Sequence, residues 1–158
     1  MAGLAVPSTP HFDYACDPEL LVIRWRMPTR EAMHELGRLI AERYEAAGCA
    51  QVFVAIIGPD CPPPDADARE AAERVIASIY AYLRRPRVLL VGSGIRVAIT
   101  RSAATILSMV TGLRGLQFEF DKTVADTVEV IASTLDRSEK AVLDALVREG
   151  LVEASELG

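Results

Sequence analysis

The chain has 158 residues, 51% hydrophobic and 25% charged, which is the composition of a globular domain rather than of a disordered segment. Its formal net charge of -5, from 22 acidic and 17 basic residues, provides no global positive field and argues against nucleic acid and anionic membranes as partners. No stretch approaches the roughly 18 apolar residues of a spanning helix and no basic leader precedes one, so we expect a cytoplasmic protein without membrane insertion.

The cysteines and histidines suggest no cross-link and no metal. Cys16, Cys49 and Cys61 are odd in number and widely spaced, which predicts neither a disulfide framework nor a metal-binding knuckle. His11 and His34 share no ligand spacing with each other or with the cysteines. We therefore expect a protein without a metal site or a cofactor.

The first predicted structure is a hairpin. Residues 1–10 are expected to be loose, and residues 11–27 contain two extended segments separated by the turn signal Asp17-Pro18. Trp25 lies on the second segment at an alternating position. We expect its ring in the core, and stacking against a ligand is the alternative.

Helix, strand and helix follow the hairpin. Thr29 is placed to cap an amphipathic helix that stops at Gly48. QVFVAIIG, residues 51–58, has the continuous apolar character of a strand covered on both faces, and it is therefore predicted to be central. After a proline-rich loop, a 3.6-residue stripe predicts a helix from about Asp67 to Arg85.

The next elements alternate in the same way. Residues 87–91 read as a strand, residues 95–111 as a helix with few charges, and residues 116–120 as an alternating strand. Thr123 and Asp126 then form the start of a further helix in the manner of a capping box.

The chain closes with one more predicted helix, from about Ser138 to Glu149, which ends at Gly150. The order of elements predicts an α/β fold: a mixed β-sheet with helices packed on it, plus an extra C-terminal helix. We assign residues 11–135 to the domain and residues 136–158 to the C-terminal helix and tail.

This order and rhythm resemble the STAS domain of anti-anti-sigma factors, and more particularly the divergent bacterial set described as STAS/SEC14-like. The resemblance implies a non-enzymatic regulatory or scaffold domain that acts by protein-protein interaction. The SEC14-like label implies the alternative, a protein that binds a small anion or apolar molecule. The stretches that carry the resemblance are LLVIRWRMPTREAMHEL (20–36), QVFVAIIG (51–58), RVLLVGSG (87–94) and LQFEFDKTVADTVEVIAS (116–133).

In regulatory STAS proteins the phosphorylated serine or threonine lies just after the central strand. The equivalent stretch here, residues 56–70, contains neither residue, and Asp60 and Cys61 occupy the position. The resemblance makes these two residues the candidate partner or switch loop, without phosphorylation. A rival register that places the switch at Ser93 leaves the strand at 51–57 unexplained, so we reject it.

The turn at Gly92, Ser93 and Gly94 admits two interpretations. Glycine at such a turn supplies a positive φ. Alternatively, exposed amide groups at a helix start, together with Arg96, form a small-anion pocket. As a dinucleotide fingerprint the stretch is weak, because no third glycine follows.

The helix predicted over residues 95–111 carries a second apolar face. Ala98, Ser102, Thr105 and Met109 recur at helical spacing, and a helix that is weakly polar all round is usually covered on more than one side. Either the C-terminal helix covers this stripe, or a second copy of the chain does so in a two-fold homodimer.

Three classes of function remain, and each predicts a different structure. An interaction module needs an apolar surface, a ligand carrier needs an enclosed apolar pocket, and an enzyme needs converging polar groups with perturbed pKa values. The sequence contains no recognisable catalytic set, so we expect a non-enzymatic protein.

Overall fold

The computed structural model describes residues 9–92 and 118–157, and within them a five-stranded sheet has the order β1-β2-β3-β4-β5. Strand β1 is antiparallel to β2, and all later pairs are parallel. The predicted α/β class with a mixed sheet is therefore confirmed. The strands are β1 Phe12–Cys16, β2 Leu20–Trp25, β3 Gln51–Ile57, β4 Leu83–Leu90 and β5 Glu119–Asp121. The helices are α1 Arg30–Ala47, α2 Ala66–Ile79, α3 Val124–Leu135 and α4 Glu139–Arg148, with 3-10 turns at Tyr80–Tyr82 and Ala154–Glu156.

The hairpin turn forms where Asp17-Pro18 predicts it. One carboxylate oxygen of Asp17 accepts hydrogen bonds from the backbone N–H groups of Glu19 and Leu20, at 2.8 and 2.9 Å. An aspartate at this position organises a tight turn through its own side chain, which is why this residue type favours turns.

The predicted helix ends of α1 are also confirmed. Thr29 accepts a hydrogen bond from the Ala32 N–H at 3.1 Å, and Gly48 ends the helix with a φ of 71°. In α2 the N-cap is Asp65, which accepts from the Ala68 N–H at 2.8 Å. The acidic loop before α2 thus supplies a helix cap.

The predicted end of α2 is wrong. The stripe pointed to a helix as far as Arg85, but α2 ends at Ile79 and β4 begins at Leu83. Pro86 disfavours helical geometry in the residue before it, and Arg85 adopts a φ of 48° where the pairing with β3 shifts register. The apolar periodicity continues past the helix because the chain continues along the same core.

The C-terminal helices begin as predicted. Thr123 caps α3 by accepting from the Asp126 N–H at 3.1 Å, and Ser138 caps α4. Gly150, with a φ of 72°, follows the end of α4. The helix predicted at 95–111 lies outside the described residues.

The helices cover both faces of the sheet. Helices α1 and α2 pack on one face, and α3 and α4 pack on the other together with Leu151 and Val152. Val142 and Leu146 of α4 belong to the same buried cluster as Leu89 of β4, so the C-terminal helix contributes to the core of the domain.

A buried ion pair joins β4, β5 and α3. The Arg87 guanidinium donates to both carboxylate oxygens of Asp121, at 2.7 and 2.6 Å, and these residues are 6% and 5% exposed. The fully buried Thr127 hydroxyl donates to the same carboxylate at 2.7 Å. Glu119, directly opposite on β5, accepts from Arg87 at 2.8 Å. Every polar group of this cluster therefore has a partner, as burial demands.

We predict that Asp121→Ala destabilises the protein by about 3–5 kcal/mol, because it leaves the Arg87 charge buried without its main partner. The measurement is urea unfolding followed by circular dichroism. Asp144→Ala, which breaks the exposed Lys140–Asp144 pair, is the control and should change little. Equal effects of the two substitutions would contradict the role assigned to the buried pair.

Candidate ligand cavity

An apolar floor is provided by the sheet face under α1 and α2. Alternate residues of a strand point to one face, and aligned residues of parallel strands share it. Ala55 of β3 pairs with Val88 of β4, and Val88 pairs with Phe120 of β5. Phe53 and Trp25 lie on the same face. This face of the sheet therefore carries both small and large apolar side chains.

The roof consists of α1 and α2, which pack closely against each other. Gly37 of α1 lies so near α2 that an added Cβ would be 2.7 Å from a methyl carbon of Val75. The buried positions of α2 are mostly alanine: Ala68, Ala71 and Ala72. Short side chains under a tightly held helix leave space above the sheet.

This space is a cavity of about 110 Å³. None of the described residues that line it carries a charge. Phe120 lines the cavity and is 38% exposed, so one of the lining rings also meets solvent at β5. The lining residues are Trp25, Pro28, Met33, Leu36, Ile40, Phe53, Ala55, Ile57, Cys61, Pro62, Pro64, Ala72, Val75, Ile76, Ile79, Leu83, Val88, Phe118 and Phe120.

The loop after β3 forms one wall of the cavity. The two candidate switch residues of this loop have different environments. Asp60 is exposed, whereas Cys61 is 7% exposed, lines the cavity and donates a weak hydrogen bond to the Pro62 carbonyl at 3.5 Å. Burial raises the pKa of the Cys61 thiol from 9.0 to about 11, and the nearby Arg24 charge offsets only part of this effect. The wall is therefore neutral at physiological pH.

The C-terminal segment is anchored at the end of β2 by an ion pair. Arg24 donates to the two carboxylate oxygens of Glu156 at 2.7 and 3.0 Å, and to the Leu151 carbonyl at 3.0 Å. Burial disfavours ionisation of Glu156, but the hydrogen bonds from Arg24 and from the Glu153 N–H outweigh it, and the pKa of Glu156 is lowered. Gly58 makes room for the guanidinium, since an added Cβ would lie 2.5 Å from it. The carboxyl edge of the sheet is therefore engaged with the chain's own C-terminal segment.

Of the candidate anion site, the structure describes one residue. Gly92 has a φ of 101° and lies against the Pro59 ring, with which an added Cβ would make contacts of 3.0 to 3.1 Å. The turn interpretation is thus supported at Gly92. Outside the described residues lie Ser93, Gly94 and Arg96 of the anion pocket, and Ala98, Ser102, Thr105 and Met109 of the predicted dimer interface.

The sequence did not reveal the cavity, because each of its walls resembles ordinary core. Trp25 is the one lining residue at which the sequence suggests stacking against a ligand. A signal was available in the small residues Ala55, in a strand otherwise rich in large apolar side chains, and Ala72, on a helix whose buried positions are mostly alanine. Recognising that these residues line one cavity requires the tertiary structure.

Comparisons with protein-family models, curated proteins and solved structures return no match. In the two described ranges, no group of three or more His, Cys, Asp or Glu side chains is arranged to hold a metal ion. None of the helices there combines the length and the apolar character that crossing a bilayer requires.

We predict that alkylation of Cys61 by iodoacetamide is slow at neutral pH and accelerates about tenfold per pH unit up to about pH 10, because only the thiolate reacts. The exposed Cys49 is the internal control and should react first. Peptide mapping by mass spectrometry measures both rates. Faster modification of Cys61 than of Cys49 at neutral pH would contradict its burial in the cavity wall.

We predict that Gly92→Ala is more destabilising than Gly48→Ala. Both positions have positive φ, which costs a side-chain-bearing residue roughly 1–2 kcal/mol, but only Gly92 also meets a neighbouring ring. Urea unfolding of both variants measures the difference. If the two variants unfold at the same urea midpoint, the close approach of Gly92 to Pro59 contributes nothing to the difference in stability.

Proposed function

We propose that this chain is a non-enzymatic domain that binds a small, uncharged apolar molecule between the sheet and helices α1 and α2. The observation that carries the proposal is the cavity of about 110 Å³ with its uncharged described walls. In another protein, an apolar cavity of about 150 Å³ stays dry and binds benzene or xenon. Ligand pockets are typically concave and lined by hydrophobic and aromatic side chains, as this one is.

Water is a poor occupant of such a site. A buried water is stable when it makes two to four hydrogen bonds with polar groups. Here the Cys61 thiol already donates to the Pro62 carbonyl, and the other described lining side chains are hydrocarbon or aromatic apart from the Met33 thioether. An apolar molecule gains dispersion contacts with the same walls without losing hydrogen bonds.

The charged groups with perturbed pKa values favour binding over catalysis. They occur in ion pairs at four separate places. Both partners have shifted pKa values in Arg24–Glu156 and Arg137–Asp17, whereas Arg87 pairs with Asp121 and Lys140 with Asp144. The first three of these join elements that are distant in sequence, Lys140–Asp144 lies within α4, and none of these side chains lines the cavity. Groups that work together in catalysis would converge on one pocket.

Docking to a protein partner stays an expectation from the STAS resemblance. The predicted dimer interface lies outside the described residues. The large apolar side chains that are exposed among the described residues come from separate elements; they are Met27, Tyr44, Phe120, Val147 and Leu157. Isolated exposed apolar residues are normal on a soluble protein. Ligand binding is therefore the function that the described geometry favours.

We predict that xenon binds in the cavity and that Ala72→Leu abolishes its binding. Ala72 lines the roof, and the added isopropyl group occupies the space. Xenon under pressure should shift the NMR signals of lining residues and raise the unfolding temperature by preferential binding to the native state.

Ala77→Leu is the matched control, because Ala77 is exposed on the same helix and its substitution leaves the cavity unchanged. Ala55→Val fills the cavity from the floor and serves if Ala72→Leu does not fold. Xenon shifts that persist in both filling variants would contradict the proposal. The absence of xenon shifts in the wild type would also contradict the proposal, because it would show that the protein's own side chains occupy the space.

A further inference from the structure

The two sides of the cavity differ in chemistry. The sheet side presents four aromatic rings, whereas α1 and α2 present aliphatic side chains and the thioether of Met33. The rings come from three places along the sheet. They are Trp25 on β2, Phe53 on β3, and Phe118 and Phe120 at β5.

Rings at this floor already contact other rings with their edges. The centroids of Phe53 and Phe118 are 6.5 Å apart with an interplanar angle of 85°, and those of Phe118 and Tyr80 are 6.1 Å apart with an angle of 60°. Trp25 meets Phe12 at 5.4 Å and 77°. In this geometry the positive edge of one ring points to the negative face of another, which is the favoured arrangement of aromatic pairs.

A ring placed on this floor continues the same arrangement. We infer that the cavity selects a single uncharged aromatic ring, such as benzene, over a saturated ring of similar size. The inference rests on the proposed ligand-binding function and adds the class of ligand. A saturated ring fills the space and gains dispersion contacts, but it has no quadrupole to align with the rings of Phe53 and Phe118.

The same walls exclude charged aromatic molecules. No described lining residue carries a charge that would pair with a carboxylate. Arg24, whose charge acts on the Cys61 thiol in the cavity wall, already binds Glu156 in a bidentate pair. Burial of an unpaired carboxylate is strongly unfavourable. Benzoate therefore should not enter the cavity that accepts benzene.

The test compares benzene, cyclohexane and benzoate as ligands of the wild-type protein, of Phe53→Leu and of Phe12→Leu. Phe53→Leu replaces a floor ring by a side chain that remains apolar. Phe12→Leu makes the same change at a buried ring that does not line the cavity. NMR titration gives the affinities, and the shifted signals show where each molecule binds.

We expect benzene to bind the wild type roughly two- to tenfold more tightly than cyclohexane, which is the size of one aromatic contact. Phe53→Leu should remove this preference, and Phe12→Leu should retain it. Benzoate should produce no shifts in the cavity.

The other outcomes separate this inference from the proposed function. If benzene and cyclohexane bind equally well, or if cyclohexane binds more tightly, the aromatic selectivity is wrong and the apolar binding function stands. If benzoate binds in the cavity, the restriction to uncharged rings is wrong. If neither hydrocarbon binds, both the selectivity and the proposed function are wrong.

Discussion

The ion pair between Arg87 and Asp121 is the constraint on which the positions of strand β5 and helix α3 depend. Strand β5 has only three residues, so its ladder with β4 provides few hydrogen bonds. The bidentate contact adds a strong, directional link between the two strands. Thr127 of α3 donates to the same carboxylate, so one group positions both β5 and the first helix of the opposite layer. Because Phe120 belongs to β5, the same contact also positions a wall of the cavity.

The two faces of the sheet are filled differently because their side chains differ in shape. The α3/α4 face is packed with aliphatic side chains, among them Ile56, Leu89 and Ile131, and Leu151 and Val152 close it. The α1/α2 face combines rigid aromatic rings on the sheet with alanines on α2. Rigid rings opposite very short side chains cannot interdigitate as aliphatic chains do, and incomplete packing is the result. The cavity therefore lies on the aromatic face.

Local signals in the sequence were sufficient for most of the fold. Asp17, Thr29 and Gly48 act within their own turns, and the continuous apolar run of β3 reports burial on both faces, so these elements could be predicted without tertiary information. The end of α2 could not be predicted from local signals, because the apolar periodicity continued into β4 and only Pro86 marked the change from helix to strand. The cavity and the buried ion pair were beyond prediction for a different reason. Both depend on which residues of distant segments face each other, and the spacing of residues along one chain does not contain that information.

Under the proposed function, the cavity also links ligand binding to the stability of the roof, which consists of α1 and α2. A void of about 110 Å³ costs roughly 2–3 kcal/mol relative to a filled core, which is a large fraction of the stability of a domain of this size. A molecule in the cavity restores the missing dispersion contacts between α2 and the sheet. Most of the described residues that line the cavity belong to α1, α2 and the sheet between β2 and β5, so the binding free energy of such a molecule would oppose their separation. Occupancy of the site and the attachment of α2 to the sheet are therefore thermodynamically coupled, and any process that loosens α2 must also weaken the binding of the ligand.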